Sequence, residues 1–242
     1  MARYELDLVA VFRKNGPSAA WPVDARNPDE LVQRLAAGGH FVPLPKEPAA
    51  LANVLEVSLV DFLLEEAGKL PGTKAERGTE RGYPDLEFSG PVFKGAYHAV
   101  DVKVARRNKS GLSTQSRITL YTGNTYFRYP SLHWPGTFRP FADYASHLDL
   151  IAIYTLDESI PGRIRDLELL VQEPWRIASE QRSSTTREYI GAVQRLNDLR
   201  EGKGAFATEG EFYKYWRSYR FKIGPTVQQQ LDRLLLAAKT NS

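Results

Sequence analysis

Between residues 83 and 107 the chain reads YPDLEFSGPVFKGAYHAVDVKVARR. Two short alternating runs flank a Ser-Gly-Pro turn, and this pattern commits the segment to a pair of strands. Side chains alternate along a strand, so Val100 and Val102 share one face while Asp101 and Lys103 share the other. If the two runs pair, Asp85 at the head of the first arrives beside that polar face. Two carboxylates and an ammonium then converge on one small volume, a donor set that suits a hard divalent cation with a lysine beside it. On these residues alone the same pattern also describes a solvated strand face with an ordinary Asp–Lys pair.

Such a strand pair needs a core around it, and 242 residues, 42% of them hydrophobic and 25% charged, supply one. The length allows one large α/β domain or two small ones. The absence of cysteine excludes disulfides, thiol chemistry and cysteine-ligated zinc, and fits a reducing cytoplasm. No apolar run reaches the length of a membrane span, and MARYELDLVAVFRK lacks a signal-peptide pattern, so a cytoplasmic protein without a membrane partner is expected. The net charge of +3 is compatible with a polyanionic partner. His40, His98, His133 and His147 show no metal-ligand spacing and read as structural.

Periodicity predicts helices over 3–14, from the Asn27-Pro28 start to Gly38, and over 48–67, with an extended piece at 40–44. Leu51, Val54, Leu55, Phe62 and Leu63 give the third helix an apolar face; Glu56 sits in its middle, either in water at the helix edge or facing the carboxylate pair. Residues 69–82 read as a polar basic loop, 117–121 as a strand, and 121–141 as an irregular aromatic stretch that packs on the core or stacks on bases. A short helix at 141–146, strands at 148–154 and 167–172, and a polar loop at 176–191 follow. Helices are expected from 185 or 186 to 200, over 209–219, and from Pro225 onward.

With these elements in place, the chain resembles the EcoRV family of type II restriction endonucleases, within the PD-(D/E)xK nuclease superfamily. The resemblance rests on Tyr83-Pro84-Asp85, on Asp101-Val102-Lys103 sixteen residues after Asp85, and on Glu56 twenty-nine before it. It extends through GHFVPLP (39–45), RPFADYASH (139–147), VQEPWRIA (171–178) and EGKGAFATEGEFYKYWRSY (201–219), in the same order. It implies an α/β fold, a mixed sheet flanked by helices, and Mg²⁺-dependent cleavage of double-stranded DNA by a homodimer. Asp85 and Asp101 are then the metal ligands, Glu56 a further ligand or supporting acid, and Lys103 the group beside the attacking water. One nuclease domain over 1–242 is expected, with a catalytic core at about 48–178, a recognition loop at about 179–191 and a C-terminal helical part at 186–242.

The resemblance thins in SEQRSSTTREYIG (179–191), which keeps Thr185-Thr186 but is shorter than its counterpart and lacks its glycines and asparagines. Arg182, Ser183, Ser184, Thr185, Thr186 and Arg187 are the candidate DNA contacts there. Arginine is the usual bidentate reader of guanine, so a short palindrome containing G·C pairs is expected; the alternative is that both arginines grip phosphates. Arg77 and Arg81 are candidates on a second loop approaching from the minor groove. A repair or nicking nuclease on the same fold, or a DNA-binding protein with a vestigial site, are the competing readings.

Overall fold

A central five-stranded sheet, covered on one face by a long helix and on the other by a second sheet and an aromatic layer, carries the candidate residues. The computed structural model describes residues 48–79, 82–160, 163–222 and 224–240. The expected elements at 3–14, 27–38 and 40–44, and Arg81, lie outside the described residues.

Helix α1 (Pro48–Gly68) presents Leu51, Leu55 and Leu59 four residues apart, one ridge of a helix, and all three are buried. The sheet holds β1 (Lys74–Arg77), β2 (Leu86–Ser89), β3 (His98–Arg106), β5 (Ser146–Leu156) and β6 (Ile164–Gln172) in the order β1-β2-β3-β5-β6. Its pairs are antiparallel except β3–β5, which run parallel in unbroken register from His98↔Ser146 to Arg106↔Tyr154. The alternation read from the sequence is realised. Val100 and Val102 pack with Leu86, Leu150 and Ala152 against Leu59 and Val60 of α1. Ala99, Ala105, Ile151 and Ile153 turn to the opposite face.

That opposite face is closed by β4 (Thr119–Thr122), β7 (Ala178–Arg182) and β8 (Tyr189–Ala192), an antiparallel sheet ordered β4-β8-β7. Helices α2 (Pro174–Ile177), α3 (Leu196–Glu201), α4 (Glu209–Ser218) and α5 (Pro225–Thr240) complete the described chain. Helix α4 starts at Thr208, whose hydroxyl accepts from Glu211 N at 3.2 Å while Glu211 Oε2 accepts from Ala207 N at 3.1 Å. Its Phe212 and Trp216 are buried in the aromatic layer, and the Trp216 indole donates to Ser179 O at 3.1 Å. Truncating a buried tryptophan of this kind costs about 3–5 kcal/mol. Tyr121, Phe127 and Phe141 belong to the same layer, so much of the aromatic stretch packs on the core.

Three expectations are corrected. Residues 69–82 are not all loop: Lys74–Arg77 forms the charged edge strand β1, a composition that discourages further strand addition. No helix runs from 185 to 200. Residues 189–192 form β8, hydrogen-bonded on both sides, and the helix begins only at Leu196. Gly191 allows this packing, since a Cβ there would lie 2.6 Å from Gln181 O and 2.3 Å from Arg117 Cδ. The polar residues at 178–182, expected as loop, form β7 and make 179–191 a hairpin.

Candidate active site

Strand β2 pairs with β3 through Leu86↔Val100, and the same register carried one step back sets Asp85 opposite Asp101. The main-chain ladder has ended there, and a side chain continues it: Val102 N donates to Asp85 Oδ2 at 2.6 Å. Asp101 lies on the next position of β3, and the Lys103 ammonium donates to its Oδ2. The Lys103 side chain keeps 20% of its surface exposed and that of Asp101 8%, so the ion pair is shielded yet reachable.

Strand β3 runs on to Arg106 after β2 has stopped, leaving a notch in the sheet beside Asp85. A cleft of about 440 Å³ is lined there by Asn53, Glu56, Val57, Val60, Arg77, Gly78, Thr79 and Asp85. Glu56 thus reaches the centre from α1, half-buried, and its charge interacts with Lys103 and Asp101. Arg77 also lines this cleft, held by Asp61 of α1. Gly78 lies so close to the Pro84–Asp85 backbone that a Cβ would fall 2.0 Å from Pro84 O, and its N–H donates to Asp85 O at 2.7 Å.

Four acids around one lysine create an uneven charge balance. Burial, and then the Asp101 carboxylate, push Asp85 up to about 8, against the pull of Lys103 and the Val102 N–H. Burial raises Glu56 as well. Burial alone would lower Lys103, but the carboxylates of Asp101, Asp149 and Asp85 more than offset it and hold the ammonium charged. The donors are all hard oxygens, the set a magnesium ion takes while keeping several waters. Among the described residues no three His, Asp or Glu side chains are gathered tightly enough to cage an ion, and Asp85 and Asp101 are the two carboxylates that stand side by side.

Asp149 was not singled out from the sequence. It is the parallel partner of Asp101 on β5, 1% exposed, and neither carboxylate oxygen has a hydrogen-bond partner. Burial drives its carboxyl well above the usual range, opposed by Lys103. The available signal was a lone acid in the apolar run LDLIAIY. A second unforeseen group is Glu87, two residues after Asp85 and 3% exposed. Arg139 Nε and Nη2 reach its two oxygens at 2.6 and 2.7 Å, Tyr144 Oη donates at 3.0 Å, and the guanidinium stacks 3.3 Å from the Tyr97 ring centre. This network pins the strand that follows Asp85.

The described histidines have structural surroundings. His147 stacks on Phe141 at 3.9 Å, meets Tyr83 Oη at 2.7 Å, and is pushed by burial down to about 3. His98 meets Ser146 Oγ at 2.8 Å and His133 meets Thr137 O at 2.9 Å. Arg107, in the basic run past β3, is held by Glu168 at 2.7 Å, which also binds Arg200.

Of the candidate DNA contacts, residues 182–187 cluster at the β7–β8 hairpin, while Arg77 stands apart on β1 at the cleft. Ser183 Oγ meets Thr119 Oγ1 at 2.7 Å, and Ser184 Oγ accepts from the Thr186 and Arg187 amides at 3.3 and 3.2 Å, bracing the tip. Thr185, Thr186 and Arg187 are exposed and Arg182 partly so. Among the described residues neither the Arg182 nor the Arg187 guanidinium has a hydrogen-bond or ion-pair partner.

Comparison with known proteins places this arrangement in a lineage. The family model described as restriction endonuclease EcoRV matches residues 18–235. The type II restriction enzyme EcoRV of Escherichia coli is 25% identical over 202 residues, covering 76% of this chain and 80% of that enzyme. The family match takes in both sheets, the carboxylate–lysine centre, the hairpin and most of α5, and on that extent the chain belongs to the EcoRV family of type II restriction endonucleases.

Proposed function

We propose that this endonuclease uses Mg²⁺ to hydrolyse double-stranded DNA at a short palindromic site, acting as a homodimer. The observation that carries the reading is the side-by-side placement of Asp85 and Asp101 with the Lys103 ammonium on the second of them. A phosphodiester is an anion, so hydrolysis requires charge neutralisation and a nucleophile made on the spot. Asp85 and Asp101 would hold the ion, with Glu56 as a further ligand across the cleft. When bound, the ion supplies Lewis acidity at the phosphate and a more readily ionised water. Lys103, kept charged by its acidic neighbours, stabilises negative charge growing on the phosphate oxygens. A two-fold DNA site matched by two-fold protein symmetry is the reason to expect a dimer.

The target is assigned to the β7–β8 hairpin. Arg182 and Arg187, whose guanidinium groups have no partner among the described residues, suit guanine in the major groove, so the palindrome is expected to contain G·C pairs. Plasmid incubated with Mg²⁺ should give discrete bands, and sequencing their ends yields both target and cut position. A smear or a single nick would overturn the site-specific dimer. Arg187→Ala should then lose affinity at one position in a panel of single-base-substituted sites, by about 1–3 kcal/mol. A uniform loss across the panel would assign Arg187 to phosphates instead.

A further inference from the structure

We propose that Asp149 is a positioning residue of the catalytic centre, which receives the Lys103 ammonium when a cation engages Asp101. The proposal rests on the nuclease reading of Asp101 and Lys103 and adds a group to it.

Its first support is topological. Partners in a parallel ladder project to the same face, so Asp149 stands alongside Asp101 on the neighbouring strand, and Lys103, two residues on, shares that face. Its second support is the state of the carboxylate. Both oxygens are buried and without a hydrogen-bond partner, which is rare for an acid in a strand core and unfavourable for packing alone. Among the described residues, Lys103 is the cation that acts on it. Lys103 attracts Asp149, while Asp101 and Asp85 repel it. Of the neighbouring hydroxyls, that of Tyr83 is engaged with His147.

Lys103 now donates to Asp101 Oδ2. Were Asp85 and Asp101 to hold an ion, that oxygen would be drawn to it, and the Lys103 ammonium would need another acceptor or would swing toward solvent. Asp149 offers two free oxygens on the buried side of the same face. Engagement there keeps Lys103 within the centre and retains its charge. The arrangement accounts for an acid that the fold itself has no use for.

The decisive measurements use the full-length protein. A crystal structure of the wild type with DNA and Ca²⁺ should show Lys103 Nζ within about 3.2 Å of an Asp149 oxygen. A Lys103 that remains on Asp101, or contacts only a phosphate, overturns the proposal. Asp149→Asn should cleave at least tenfold more slowly in single turnover at saturating Mg²⁺, while binding DNA in Ca²⁺ within about threefold of wild type. In chelator the same variant should melt no lower than wild type, because Asp149 has no hydrogen bond to lose and the isosteric amide removes a buried ionisable group. A residue needed only for folding would lower stability and rate together. Wild-type cleavage by a well-folded Asp149→Asn would sink the positioning role and leave the nuclease reading intact. Absence of Mg²⁺-dependent cutting by the wild type would sink both.

Discussion

Asp85→Asn tests the charge balance of the metal-free centre directly. Burial and the Asp101 carboxylate raise Asp85 from 3.8 to about 8 in the folded chain. Between pH 5 and 8 the folded protein therefore keeps a proton that the unfolded chain has lost. Stability falls as pH rises wherever the folded state binds more protons, by about 1.4 kcal/mol per pH unit for one group. The decline ends once pH passes about 8, where both states are ionised. His147 acts with the opposite sign. Its imidazole, pushed from 6.5 to about 3, is neutral in the fold, so its contribution rises with pH up to 6.5 and is flat beyond. The raw profile also carries Glu56 and Asp149, both raised by burial, but the difference between Asp85→Asn and wild type removes His147 and reports Asp85 together with its interaction with Asp101. Urea unfolding in chelator at pH 5, 6, 7 and 8 should show the variant gaining steadily on wild type, by a few kcal/mol (~1 kcal/mol or more per pH unit) across the range. A constant difference would refute the account, because it would mean that Asp85 titrates like an ordinary carboxylate despite its burial. The same proton predicts that Mg²⁺ affinity climbs with pH toward 8, since binding must expel it.

Lys103→Ala should lower single-turnover cleavage by about 10²–10³-fold with DNA binding in Ca²⁺ retained, because it removes charge stabilisation rather than a binding contact; a loss confined to binding would contradict this role. Arg139→Ala strands the Glu87 carboxylate, 3% exposed, and should cost about 3–5 kcal/mol in urea unfolding, with much of it recovered in Glu87→Gln/Arg139→Met. Gly78→Ala places a Cβ 2.0 Å from Pro84 O, so the segment carrying Asp85 must move; cleavage should fall by more than thermal stability does, and an unchanged rate would show that Asp85 tolerates the shift.

The strand pair, its two faces and the meeting of Asp85 with Asp101 were legible because period-two alternation carries direct three-dimensional information. Helix α1 was legible for the corresponding reason at a period near 3.6. Other parts depend on partners distant in sequence. Residues 189–192 carry Ile190, which suits a helix face as well as a strand, and only pairing with β4 and β7 selects the strand. The charged run Lys74–Arg77 has no apolar alternation, and its extended form follows from the free edge of β2. Asp149 reads as a minor interruption of an apolar strand until the parallel register sets it next to Asp101. Glu87 and Arg139 lie fifty-two residues apart, and nothing local in either segment announces their pairing.

The fold separates what must stay fixed from what is free to change. Asp85, Asp101 and Lys103 are bound into the five-stranded sheet by register and by contacts with buried backbone, so altering them disturbs strand order as well as chemistry. The hairpin tip from Ser183 to Glu188 belongs to the smaller sheet, is anchored at Thr119 and through the Ser184 turn, and buries none of its side chains fully. Residues there can be exchanged without opening the core. If the hairpin reads the target as proposed, new specificity can arise without touching the carboxylate–lysine cluster, provided that the anchors at Ser183 and Gly191 persist. Gly191 is the more demanding of the two, because any side chain there collides with β7 and would shift the hairpin as a whole.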